Sequence, residues 1–209
     1  MKIIVADDHL LYRSGLVSLL AGREGLEIVG QASDGLQAIE LARALRPDLV
    51  IMDVHMPRSN GLEATRVIKR EMPEIKVVML SVSDEDEYLF DAIKSGAQGY
   101  LLKILDPRQL IEALLGICRG EATLSRHMAS RILREFQMRE TASRQGATTP
   151  GLLSSRELEA LELLSLGGTS RQVAQRLGVR DTVVKSLLGS ILDKLQDDSV
   201  TLLCAGNRD

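Results

Sequence analysis

Aromatic residues are almost missing from these 209 residues: the chain has no Trp, two Phe and three Tyr. A core must therefore be built from Leu, Ile, Val, Ala and Met. Stacking of nucleic-acid bases on aromatic side chains is all but excluded as a binding mode. Cysteine is equally scarce. Cys118 and Cys204 have no metal-ligand spacing and the three histidines lie far apart, which argues against a zinc site. Nothing asks for an oxidising compartment. The start, MKIIVADDHL, has only the apolar run Ile3–Ala6 before two aspartates. That is neither a signal peptide nor a membrane span, so the expectation is a cytoplasmic chain without a membrane partner. No sign of charge dominates: 26 Lys and Arg face 29 Asp and Glu, a net charge of −3. With 44% hydrophobic and 26% charged residues, the composition is that of a globular protein of one large or two small domains.

What is present is a rhythm. Ile3–Ala6, Ile28–Val29, Leu49–Met52, Val77–Leu80 and Tyr100–Leu102 are short apolar runs, continuous rather than alternating, as strands buried on both faces read. Amphipathic stretches separate them. Leu110, Leu114 and Ile117, with Ile111, Leu115 and Cys118, form a helical stripe, and Leu89, Ala92 and Ile93 a shorter one. Five strand–helix units predict a doubly wound α/β domain over 1–120, with a parallel sheet in the order 2-1-3-4-5. After that the strand signals stop. Residues 121–151 read as a helix from Ser125 to about Glu140, with Met128, Ile132, Leu133 and Phe136 on one side, followed by a linker over Thr141–Gly151. Residues 152–209 read as a small all-α domain. Ser154-x-x-Glu157 and Thr169-x-x-Gln172 are capping boxes, Gly178 ends a short helix, Asp181 is placed to cap a longer one through Leu195, and Ser199 to open a last one.

The strand ends carry chemistry. Asp7 and Asp8 follow strand 1, Asp53 ends strand 3, Ser81 ends strand 4 and Lys103 follows strand 5. In open α/β sheets ligands bind at this edge. Helix capping explains any one of these residues, but not acid, hydroxyl or ammonium at four strand ends together. Carboxylates converging there repel one another and call for a cation, and an all-oxygen set suits Mg²⁺. A lysine and a hydroxyl facing the same cleft suit phosphoryl oxygens, and an Asp can accept a phosphoryl group covalently. A metal-dependent phosphohydrolase would need a second Asp two residues after the nucleophile, where His55 stands.

With VADDH (Val5–His9), MDVHMP (Met52–Pro57), Gly61, Leu80–Ser81 and GYLLK (Gly99–Lys103), the first 120 residues resemble the receiver domain of response regulators. The resemblance implies phosphorylation of Asp53 by a cognate histidine kinase. It implies Mg²⁺ held by Asp8, Asp53 and the backbone carbonyl of His55, with Asp7 assisting. Lys103 would pair with the phosphoryl group, and Ser81 and Tyr100 would form the switch that reads it. It also implies no turnover beyond the domain's own phosphoryl transfer and dephosphorylation. Ile104 stands where many receivers have Pro after the lysine, so a cis Lys–Pro bond is absent.

The C-terminal segment has a helix-turn-helix layout, with Leu158, Leu161, Leu163, Leu164, Val173, Ala174, Leu177, Val179, Val184, Leu188, Ile191 and Leu195 as expected core. Through Leu153, Arg156, Glu157, Glu159, Leu161, Gly167, Val173, Ala174, Leu177, Val179, Val184, Lys185, Ile191, Lys194 and Leu195 it resembles the LuxR-type domain of the NarL/FixJ family. That implies a transcription regulator that forms a homodimer on activation and binds DNA, through Arg171, Arg180, Val183, Lys185, Leu187 and Lys194. The departures fall there: Arg180, Val183 and Leu187 replace the family's Ser, Thr and His, and Val183 and Leu187 are expected as an exposed apolar pair. Residues 151–209 carry seven basic side chains (Arg156, Arg171, Arg176, Arg180, Lys185, Lys194, Arg208) and eight acidic ones (Glu157, Glu159, Glu162, Asp181, Asp193, Asp197, Asp198, Asp209), a net of −1. A weakly charged reading head raises the alternative of a phospho-switch whose degenerate helix-turn-helix binds a protein. In the tail, Val200, Leu202, Leu203 and Ala205 are candidates for a dimer contact or for packing on the domain itself.

Overall fold

The structure, a computed structural model, describes residues 1–82, 91–122, 124, 126–143 and 153–205, of which 127, 139–143 and 197–205 by their backbone alone. It divides into two compact units, Met1–Cys118 and Arg119–Asp209.

The first unit holds strands β1 (Lys2–Ala6), β2 (Glu27–Ala32), β3 (Leu49–Asp53), β4 (Lys76–Ser81) and β5 (Gly99–Leu102). They form one parallel sheet in the order β2-β1-β3-β4-β5, as the sequence predicts. Helices α1 (Leu10–Leu20), α2 (Gly35–Leu45), α3 (Gly61–Glu71) and α4 (Pro107–Cys118) cover it. The strands read as continuous apolar runs because alternate residues enter two different cores. Ile4, Ala6, Val50, Met52, Val77 and Met79 pack with Ala38 and Ala42 of α2 and Ala64 and Ile68 of α3. Ile3, Val5, Leu49, Ile51, Val78 and Leu80 pack with Leu16 and Leu20 of α1 and Leu110, Leu114 and Ile117 of α4. Each fully enclosed Leu, Ile, Val or Met contributes about 1.5–3 kcal/mol of transfer free energy. Leu115, expected in the α4 stripe, is instead exposed.

β2 is longer than its apolar pair Ile28–Val29. It is an edge strand, and its register with β1 shifts between Ile3 and Ile4, so that Ile3 faces Ile28 and Ile4 faces Gly30. The bulge and the non-apolar Gly30 and Gln31 hide the strand from an apolar-run reading. Residues 91–94 are helical before β5, which covers Ala92 and Ile93 of the expected stripe; Leu89 lies outside the described residues.

The second unit holds α5 (Arg126–Ser143), α6 (Ser155–Ser165), α7 (Ser170–Leu177) and α8 (Asp181–Ala205). Both capping boxes form. The Ser154 hydroxyl accepts from Glu157 N–H while Glu157 accepts from Ser154 N–H, and Thr169 and Gln172 do the same for α7. Gly178 ends α7 with φ +66°, a left-handed conformation that glycine adopts without steric cost. α8 lies against α6 and α7, and its Val184, Leu188, Ile191 and Leu195 are buried, as are Ala160, Leu161 and Leu164 of α6 and Val173 and Ala174 of α7. Met128, Ile132 and Phe136 of α5 are buried as well, and α5 lies against α6.

Several details of this unit differ from expectation. Leu158 is exposed, because the buried stripe of α6 runs through Glu157, Ala160, Leu161 and Leu164. Asp181 stands in the first turn of α8 and pairs with Lys185 at 3.0 Å, while the carbonyl of Arg180 takes the first helical hydrogen bonds. No new helix opens at Ser199, since α8 runs on to Ala205. Residues 141–143 of the expected linker are the last residues of α5, and its remainder lies outside the described residues, as do the side chains of Val200, Leu202, Leu203 and Ala205.

Candidate functional site

Pairing of β1 with β3 brings the carboxyl ends of both strands side by side. Asp7, fully buried, and Asp8, exposed, follow β1, and Asp53 closes β3 with 4% of its surface exposed. One carboxylate oxygen from each of the three lies within 4.8 Å of the others. Lys103 reaches across from the end of β5. Its ammonium sits 2.7 Å from Asp7 Oδ2 and 2.9 Å from Asp53 Oδ2. The other oxygen of Asp7 accepts the His9 N–H at 2.9 Å, and Arg13 donates to the Asp7 carbonyl. The sequence-derived acids and lysine are thus one cluster.

Three carboxylates against one ammonium leave an excess of two negative charges, all on oxygen donors, which fits a divalent hard cation. Burial pushes the Asp53 carboxyl above the usual carboxylate range; hydrogen bonding and charge from Lys103 pull the other way, and the Asp7 charge adds to the rise. Burial works against the Lys103 ammonium, yet Asp7 and Asp53 outweigh it and hold its pKa above the ordinary lysine value.

The remaining candidates lie on the same edge. Ser81 is buried at the end of β4, and its carbonyl accepts the Lys103 N–H at 2.7 Å. Tyr100 is half-buried on β5 opposite Met79 and packs on the core shared with α2 and α3. His55 turns its side chain to solvent and gives its N–H to the Asp53 carboxylate. The loop that carries it is seated by Gly61. A Cβ there would lie 2.0 Å from the Asp53 carbonyl oxygen and 2.9 Å from Met79 Cε, so only glycine lets α3 begin against the end of β3. Ser59 O accepts the Gly35 N–H at 3.1 Å, and Arg58, at φ +65°, pairs with buried Asp34, the N-cap of α2.

One contact has no counterpart in the motif reading. Tyr12, in the first turn of α1, places its ring centroid 4.8 Å from Lys103 Nζ. Its neighbours in sequence give it the look of an ordinary apolar helix position. The only sequence signal is its place four residues after Asp8.

In the second unit the expected DNA-contacting residues separate into groups. Arg171 on α7 and Arg180 at the start of α8 are exposed. Lys185 is half-buried and paired with Asp181. Lys194 turns inward: its ammonium is 2.6 Å from Glu157 Oε2, while Ser190 donates to Glu157 Oε1 at 2.8 Å. Glu157, 3% exposed, is the hub of this network. Burial opposes its charge, but Lys194, Ser154 and Ser190 hold its pKa down to about 2. Val183 and Leu187 are half-buried rather than exposed. They line a groove of about 180 Å³ with Arg156, Glu159, Arg176, Leu177 and Val179. The reason is that α6 and the end of α7 flank α8 on that side, so its buried arc is wider than one stripe.

Residues 3–115 match the family model of the response regulator receiver domain, and residues 151–203 that of the luxR family of bacterial regulatory proteins. The transcriptional regulatory protein DegU of Brevibacillus brevis is 32% identical over 206 residues, covering 93% of this chain and 87% of its own length. The oxygen regulatory protein NreC of Staphylococcus epidermidis is 36% identical over 198 residues, covering 93% and 91%. The solved receiver domain of the response regulator NarL from Mycobacterium tuberculosis superposes with a TM-score of 0.55 at 32% identity, over 57% of this chain and 96% of that one. The luxR-type match favours DNA over a protein as the target of the second unit. Among the described residues, no helix is long and apolar enough to cross a membrane. With both halves matched in order and relatives similar over nearly their whole length, the chain belongs to the NarL/FixJ family of two-component response regulators, DNA-binding regulators of transcription built from a receiver and a LuxR-type domain.

Proposed function

We propose that Asp53 is the phosphoryl acceptor of this regulator and that its phosphorylation promotes dimerisation and DNA binding by the C-terminal unit. The observation that carries this reading is the Asp53 carboxylate itself, buried at the end of β3 and joined to Asp7 through the Lys103 ammonium that pairs with both. A carboxylate oxygen of Asp53 attacks the phosphorus of a phosphohistidine on a partner kinase. A P–O bond forms, the P–N bond breaks, and the imidazole leaves with a proton. Asp7, Asp8 and Asp53, with the His55 carbonyl, would hold Mg²⁺, which supplies charge neutralisation for the entering phosphoryl group. Lys103 stands within reach of the same oxygens as a second positive charge.

A phosphoryl group adds about 1.5 to 2 negative charges and strong acceptors beside the Ser81 hydroxyl. Ser81 closing on a phosphoryl oxygen, with Tyr100 turning inward behind it, converts that charge into a shift between two arrangements of the β4–β5 edge. The dimer that follows places two copies of α8 on successive half-sites of DNA. The exposed Arg171 and Arg180 contact phosphates, with Lys185 beside them.

The test is covalent labelling. Acetyl phosphate with Mg²⁺ should add one phosphoryl group to the full-length protein, read as a mass increase that is lost in Asp53→Asn or on chelating the metal. Labelling that persists in Asp53→Asn overturns the assignment.

A further inference from the structure

Among the described residues the Lys103 ammonium meets three neighbours: the two carboxylates at 2.7 and 2.9 Å and the face of Tyr12 at 4.8 Å. Only 10% of the lysine side chain is exposed, so little water competes with these contacts. Tyr12 is itself half-buried, packed with the core that α1 and α4 share, and its backbone belongs to a regular helix. The negative face of an aromatic ring attracts an ammonium without using any of its hydrogen bonds. Lys103 therefore keeps its donors for the carboxylates while the ring closes one side of its cage.

The three neighbours behave differently during reaction. When Asp53 takes a phosphoryl group, one of its oxygens becomes part of an acyl phosphate and the negative charge moves outward. The ammonium must follow that charge, and its four-carbon stem has rotamers enough to wander. Asp7 and the ring are both left unchanged by the transfer, and of the two only the ring holds the ammonium without occupying one of its donors. Resting on the reading of Asp53 as the acceptor, we propose that Tyr12 is a positioning residue for phosphoryl transfer: its ring keeps the Lys103 ammonium aimed at the Asp53 oxygens before and after the group arrives. The Tyr12 hydroxyl is not needed for this, and Phe should serve in its place.

The test uses the full-length protein with Mg²⁺ and a range of acetyl phosphate concentrations, following phosphorylated protein by mass. Tyr12→Leu, which keeps an apolar side chain against the core, should lower the maximal rate about tenfold, leaving the acetyl phosphate concentration at half-maximal rate little changed, and Tyr12→Phe should restore it. A leucine variant at the wild-type rate, or a phenylalanine variant as slow as the leucine one, overturns the proposal. The second measurement needs no phosphorylation and does not depend on Tyr12→Leu folding. With three tyrosines in the chain, ring-labelled tyrosine gives few NMR signals. Lys103→Met should shift those of Tyr12, and unmoved Tyr12 signals overturn the contact. Failure of the acceptor reading looks different: labelling then survives in Asp53→Asn, whatever stands at position 12.

Discussion

Glu157 shows how much one side chain can organise. It caps α6 through the Ser154 N–H, accepts from Ser190 and pairs with Lys194, all with 3% of its surface exposed. Its pKa is near 2 in the folded chain against 4.5 for a free glutamate. A depressed carboxyl pKa stabilises the fold fully above the unfolded value and loses that contribution as protons bind on the way down. The second unit should therefore lose stability as pH falls from about 4.5 towards 2, and urea titrations of Glu157→Gln should show a flatter pH dependence over that window. Glu157→Ala removes the buried partner of a half-buried ion pair together with the α6 cap and should cost about 1–3 kcal/mol, read from the denaturation midpoint. Lys194→Met belongs to the same test. If Lys194 serves the domain rather than DNA, the variant should lose stability more than it loses affinity at matched folded fraction. Lys103 is the counterpart in the receiver. Lys103→Met leaves Asp7 and Asp53 facing each other without their cation, so Mg²⁺ should raise the thermal midpoint of the variant more than that of the wild type.

At the level of elements, the decisive junction is where β3 hands over to α3. Gly61→Ala sets a methyl against the Asp53 carbonyl, which cannot yield without moving the acceptor strand. The receiver should be destabilised by about 1–3 kcal/mol, and labelling of Asp53 should slow even where the variant is folded. This junction also explains what the sequence could tell. β1, β3 and β4 announce themselves because both faces are buried and each run stops abruptly at a polar residue, which is the site. β2 shows an apolar run of only two residues because it is an edge strand with a bulge at its Ile28–Gly30 end. The capping boxes of α6 and α7 are local and so were legible as spacings. Tyr12 against Lys103 and Glu157 against Lys194 join residues far apart in sequence, and no periodicity reports them. Spacing alone leaves Val183 and Leu187 exposed, because the stripe through Val184, Leu188, Ile191 and Leu195 takes up one core face of α8. The groove they line belongs to α6 and α7 as much as to α8.

For the whole molecule, charge sets the terms of DNA binding. Lys185 and Lys194 are each held by a carboxylate, and residues 151–209 carry a net charge of −1 by the count above. With two of its cations engaged in this way, a single copy should bind weakly, and the proposed dimer should gain by avidity. Affinity should then depend on protein concentration as a dimer requires, and fall on a log–log plot with salt by about 0.9 for each phosphate neutralised. Phosphorylation-driven DNA binding is measured most directly by binding of the full-length protein to a pool of genomic DNA fragments across a salt series, with and without acetyl phosphate and Mg²⁺. Enrichment of particular fragments should appear on phosphorylation, fall steeply with salt and be lost in Asp53→Asn. Equal binding by phosphorylated wild type and Asp53→Asn, or no binding at low salt by protein shown to be phosphorylated, would contradict the proposed function.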